Sequence, residues 1–146
     1  MLRGRHTTTV DAKGRLKIPA EFKAYLDEKY GPDYYVTSLD GQRAHVYPFP
    51  EWRKIEEKLA ALPSMNKSKK KFLDRTNYWG QTARIDAQGR LLIPSQLRES
   101  ALMKGEVAVM GYLDHLEVWK PERFDQHLEQ NPMTEEDEKT LSDLGI

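Results

Sequence analysis

No cysteine occurs in the chain, which excludes disulfides and zinc–thiolate sites and fits a reducing cytosol. No apolar run approaches the roughly 20 residues of a membrane span, and the first residues are too polar for a signal peptide. A soluble intracellular protein is therefore expected. Net charge is also missing, with 23 Lys and Arg against 23 Asp and Glu, but that balance hides a segregation. Residues 134–146 hold five acids (Glu135, Glu136, Asp137, Glu138, Asp143) against Lys139, a net of −4, so residues 1–133 carry +4. Residues 1–23 contain Arg3, Arg5, Lys13, Arg15, Lys17 and Lys23 against Asp11 and Glu21, again +4. Basic charge gathered near one end is what an anion-binding surface needs. Catalytic signatures are absent too. His6, His45, His115 and His127 show no metal-ligand spacing, and no Ser or Thr falls in a nucleophile motif. No catalytic residue, metal site or cofactor is expected.

What is present is a stretch written twice. V-D-A-K-G-R-L-K-I-P starts at Val10 and I-D-A-Q-G-R-L-L-I-P at Ile85, with seven of ten positions identical at a spacing of 75 residues. This is an internal duplication. Each copy reads as a tight hairpin feeding a helix. Asp11 and Asp86 accept from local backbone N–H groups, Gly14 and Gly89 supply positive φ, and Arg15 and Arg90 open the return strand. Pro19 and Pro94 then fit the first turn of a helix. Halves of about seventy residues are individually marginal, which predicts that they share one core.

In chain order, Thr7–Val10 is a predicted strand, and Phe22, Tyr25 and Leu26 mark a short amphipathic helix ending near Gly31. Strands are expected at Tyr34–Leu39 and Ala44–Tyr47, followed by a helix opened by Pro50 with Trp52, Ile55, Leu59 and Leu62 along one side. Residues 64–80 form a basic connector whose Phe72, Tyr78 and Trp79 imply a helix. The second half repeats the order: strands at Thr82–Ile85 and Leu91–Ile93, a helix at Ser95–Leu102, strands at Glu106–Gly111 and Leu116–Trp119, and a helix from Pro121. The expected division is a first half at 1–63, the connector at 64–80, a second half at 81–131 and an acidic, mobile tail at 132–146. A weak helix is allowed at Glu135–Leu144.

The doubled D-x-x-G-R-L-x-I-P, the opening M-L-R-G, and Y-P-F-P-E-W followed by K-I-E-E-K-L-A-A-L-P resemble the MraZ family of bacterial transcriptional regulators. The resemblance covers roughly residues 1–130. It implies an α+β fold of the AbrB-type swapped-hairpin superfamily, in which tandem βαβ units interlock as a pseudo-dimer within one chain. It further implies ring-like homo-oligomers (octamer or dodecamer) in the cytoplasm, associated with the nucleoid. These bind short repeated boxes in double-stranded DNA upstream of the division and cell-wall gene cluster, usually as a repressor.

Arginine reads guanine bidentately in the major groove and also pairs with phosphate, and a two-stranded ribbon fits that groove. Arg15 and Arg90 are therefore assigned to base or phosphate contact, and Lys13, Lys17, Arg3 and Arg5 to phosphate positioning. Asp11, Gly14, Asp86 and Gly89 shape the turns, and the aspartates orient the arginines. The competing reading is that both arginines only form intramolecular salt bridges with those aspartates. The second copy is less basic, with Gln88 for Lys13 and Leu92 for Lys17, so the first hairpin is expected to weigh more. An antitoxin or nucleoid-associated scaffold on the same fold is the alternative function.

Overall fold

Leu16 and Leu91 face each other at the centre of the molecule, both fully buried, and the two repeats are arranged around that pair. The computed structural model describes residues 1–146. Each repeat begins as the alternation of its residues dictates. In β1 (Arg5–Val10), β2 (Arg15–Lys17), β5 (Gln81–Arg84) and β6 (Arg90–Leu92), alternate side chains point to opposite faces. Leu16, Ile18, Leu91 and Ile93 are thereby turned inward and Arg15, Lys17, Arg90 and Leu92 outward. Pro19 and Pro94 end the short strands, and helices α1 (Ala20–Lys29) and α4 (Ser95–Ser100) follow, burying Phe22, Leu26 and Leu97.

The remaining strands are β3 (Asp33–Thr37), β4 (Ala44–Pro48), β7 (Gly105–Tyr112) and β8 (His115–Trp119). All eight make one antiparallel sheet in the order β5-β3-β4-β8-β7-β1-β2-β6. The two ends of that order, β5 and β6, are the arms of the second hairpin, joined where the Asp86 N–H donates to the Arg90 carbonyl at 2.9 Å. The sheet is a nearly closed barrel. The halves exchange strands: β1 of the first pairs with β7 of the second over six residues, and β5 of the second pairs with β3 of the first over four. This is the swapped pseudo-dimer. One apolar core joins Val10, Leu16, Phe22, Tyr34 and Val46 of the first half to Leu91, Leu97, Val107, Val109 and Val118 of the second.

Several element boundaries differ from the sequence reading by a few residues. β3 stops at Thr37 because the Ser38 hydroxyl and the Asp40 carboxylate accept from the Gly41 and Gln42 N–H groups, turning the chain early. β7 runs on to Tyr112, since Leu113 exchanges two backbone hydrogen bonds with Leu2 and holds φ at 67°. Helix α2 (Phe49–Ala60) ends before Leu62, and of its apolar residues only Trp52 is buried. The basic connector is helix α3 (Lys67–Tyr78), capped by the Asn66 side chain. Its far end docks on β3, where the Thr76 carbonyl accepts from Tyr35 and Thr37 hydroxyls. After α5 (Pro121–Gln130), the acidic tail contains α6 (Glu135–Asp143), started by a capping box between Thr134 and Asp137. No helix is long and apolar enough to cross a membrane.

Candidate nucleic-acid interface

Both turns are built alike. Gly14 N–H donates to the Asp11 carbonyl and Gly89 N–H to that of Asp86, and the glycines hold φ at 83° and 76°. This is the three-residue hairpin loop in which a type I turn is followed by a left-handed residue, a place glycine fills without strain. Asp11 Oδ1 accepts from the Lys13 and Arg15 N–H groups at 3.0 and 2.9 Å. Asp86 Oδ1 accepts from Gln88 and Arg90, both at 2.9 Å.

The second carboxylate oxygen of each aspartate takes the arginine side chain: Arg15 Nε–H donates to Asp11 Oδ2 at 2.8 Å, and Arg90 Nε–H to Asp86 Oδ2 at 3.1 Å. These bonds, first among them the arginine backbone N–H, hold both carboxyls below the usual carboxylate range. Each aspartate thus fixes a turn and an arginine at once. Salt bridging does occur, then, but through Nε alone in Arg15, whose two Nη groups keep their donors for another acceptor. The arginine side chains are 29% and 28% exposed, so neither is withdrawn into the core.

Pairing of β2 with β6 sets Arg15 beside Leu92 and Lys17 beside Arg90. Asp11 Oδ2 lies between the guanidiniums, 2.8 Å from Arg15 Nε and 3.9 Å from Arg90 Nη1. The outward surface of these strands carries three cations and one leucine. Lys13 is exposed at the first turn, and Lys17 Nζ reaches across to donate to the Gln88 carbonyl of the second. Backbone bonds also cross: Ile18 N–H donates to the Gly89 carbonyl and Ile93 N–H to that of Gly14, at 2.9 and 3.0 Å. Arg3 and Arg5 are exposed at the other end of β1, about 20 Å along the strand from the turn. The structure does not bring them to this cluster, and Arg5 lies over the Phe124 ring instead.

Two further side chains cover the turns. The Arg98 guanidinium of α4 lies over Gly14 so closely that a Cβ there would collide with it. The aliphatic part of Lys23 of α1 passes over Gly89 less tightly, with Cδ 3.0 Å from where a Cβ would stand, and its ammonium pairs with Asp27 of the same helix. Lys23 and Arg98 sit 75 apart, and the repeat offset alone relates them, but only the exchange of strands shows that each lies on the other half's turn.

The sequence matches a family described as "MraZ protein, putative antitoxin-like", over residues 1–75 and again over 80–144. A protein from Acidobacterium capsulatum, named transcriptional regulator MraZ, is 55% identical over 146 residues, the whole of both chains. Proteins of the same name from Koribacter versatilis and Acidithiobacillus ferrooxidans are 52% identical over both full lengths and 35% identical over 86% of each chain. The chain belongs to the MraZ family. The two matched segments coincide with the two hairpin-bearing halves, so in this MraZ chain the duplicated unit is also the structural one. The relatives carry the name of a regulator and not that of an enzyme.

One grouping escaped the sequence reading entirely. On the outer face of β4 and β8, whose Ala44, Val46, Leu116 and Val118 point into the core, His45 pairs in register with Glu117, and His115 lies alongside. Burial, aided by the Arg43 guanidinium, pushes the His45 pKa down to about 4, so its ring is neutral near pH 7.

Proposed function

We propose that this chain is a sequence-specific DNA-binding regulator of transcription, acting as a repressor of the division and cell-wall gene cluster at the nucleoid. It binds repeated promoter boxes as a ring-like homo-oligomer, through the paired hairpins. One observation carries this reading: two arginines, each held by the aspartate of its own turn, stand on adjacent strands with Lys13, Lys17 and Arg98 around them. The two-stranded surface has the width of a major-groove reader, and Arg15 keeps the Nη pair that matches guanine O6 and N7. The lysines serve phosphate oxygens. Arg3 and Arg5, away from the turns, reach only phosphates flanking that contact, if the groove curves toward them.

A single pseudo-dimer has few phosphate contacts, so one chain binds weakly in salt, and subunits joined on spaced boxes gain effective concentration. Ile55 and Leu59 on α2 and Leu128 on α5 remain partly or wholly exposed, as surfaces between subunits require. The antitoxin-like wording attached to the family keeps a second reading in view. A doubled fold argues against it, and co-purification of a small basic protein partner is the result that would favour it.

The test is a salt titration of binding to DNA from upstream of the protein's own gene, beside an unrelated duplex of equal length. The expected result is preference for the first duplex and a steep fall of affinity with salt. Equal affinity for both would remove sequence reading, and a flat salt response would remove the interface.

A further inference from the structure

The grouping at the β4–β8 seam has no part in DNA contact, yet it has the parts of a metal site. His45 comes from the first half, His115 and Glu117 from the second, and one ligand atom of each lies within 4.8 Å of the other two. His45 is enclosed, and neither of its ring nitrogens has a hydrogen-bond partner. An orphaned buried imidazole is costly unless something takes its lone pair.

The other two groups are oriented from behind, as metal ligands are. Asp114 Oδ1 lies 2.7 Å from His115 Nδ1, which holds the tautomer with its lone pair on Nε2. Trp119 Nε1–H donates to Glu117 Oε1 at 3.1 Å, and Arg43 Nε lies 3.7 Å from that same oxygen. Glu117 Oε2 is left facing His45 Nδ1 at 3.7 Å. Tyr47 and Tyr112 stack on His115 and restrict its ring.

Charge fits as well. Asp114 and Glu117 bring two carboxylates to the seam, while Asp40 lies 3.8 Å from the Arg43 guanidinium that also faces Glu117. Two imidazoles and one carboxylate select a transition ion of the zinc type over magnesium or calcium. A tetrahedral ion with bonds of about 2.1 Å sets its ligands roughly 3.4 Å apart. The ligand atoms, within 4.8 Å of one another, would draw together by up to roughly 1.4 Å to hold such an ion. We propose that His45, His115 and Glu117 bind one divalent transition-metal ion, such as zinc, which ties the two halves of the barrel together opposite the hairpins.

The experiment is calorimetric titration of the full chain with Zn²⁺, with thermal melting in Zn²⁺, Mg²⁺ and chelator. One ion per chain is expected. At zinc a hundredfold above its dissociation constant, melting should rise by roughly 5–10 °C, with no change in Mg²⁺. Co²⁺ should give a visible d–d spectrum of a low-coordinate nitrogen–oxygen site. His115→Ala, at a part-exposed position, should abolish all three effects while the chain still folds, as should His45→Ala. A variant lacking His6 and His127 should keep them. Absence of stoichiometric zinc binding, or effects that survive His115→Ala, overturns the proposal.

Discussion

The two hairpins share a skeleton and differ in charge. Their aspartate–arginine bonds agree within 0.3 Å, at 2.8 and 3.1 Å, and their glycines within 7° of φ. Around that common frame, Lys13 of the first copy corresponds in sequence to Gln88 of the second, Lys17 to Leu92, and Lys23 to Arg98. Arg15 answers to one carboxylate, whereas Arg90 lies near two, Asp86 and Asp11. The turn chemistry therefore fixes where an arginine stands, and its neighbours decide how strongly it is offered to an anion.

The largest test of this division is in the core, where the halves should be equivalent. Leu16→Ala and Leu91→Ala should each lower stability by about 2–5 kcal/mol, measured by urea unfolding. A clear inequality would show that the shared core is not symmetric. Next comes DNA contact, where equivalence should fail. Arg15→Ala should cost about 1–3 kcal/mol of specific binding and Arg90→Ala less, read from fluorescence anisotropy; an equal or larger loss at Arg90 sinks the asymmetry.

Smaller still is the effect of restoring charge. Leu92→Lys should steepen the slope of log affinity against log salt by about 0.9, one added phosphate contact. An unchanged slope would mean that position 92 stays clear of DNA. The least effect is expected from acid. Because both aspartates titrate below their ordinary range when folded, their contribution to hairpin stability is complete above the unfolded value near 3.9. It declines as pH falls through the folded values. Asp11→Asn and Asp86→Asn should each flatten that acid limb of the melting curve, to similar extents; a limb untouched by either change would show that these carboxylates are not its source.

Much of this was readable in advance, because the local chemistry is explicit. Asp-x-x-Gly names its turn, and the alternation of Leu16 and Ile18 with Arg15 and Lys17 names the inward face. What stayed hidden depends on contact across distance. Pairing of β1 with β7 came only as an implication of resemblance, since period-two patterns do not say which strand is the neighbour. Arg98 over Gly14 needs the orientation of α4 against the opposite turn, which composition does not carry. His45 and Glu117 are 72 residues apart in sequence and adjacent in the sheet, so no ligand spacing betrays them. Arg3 and Arg5 were grouped with the turns by charge and proximity along the chain, and the length of an extended strand separates them.

The exchange of β1 onto β7 also governs synthesis. Arg5 has its ladder partner at Met110 and Val10 at Gly105, so β1 leaves the ribosome about a hundred residues ahead of its mate. Until the two meet, the open edge of β1 is free to recruit a strand from another nascent chain. Production of this protein is thus a race between elongation and intermolecular pairing, one that slower translation of the second half would tilt toward misassembly.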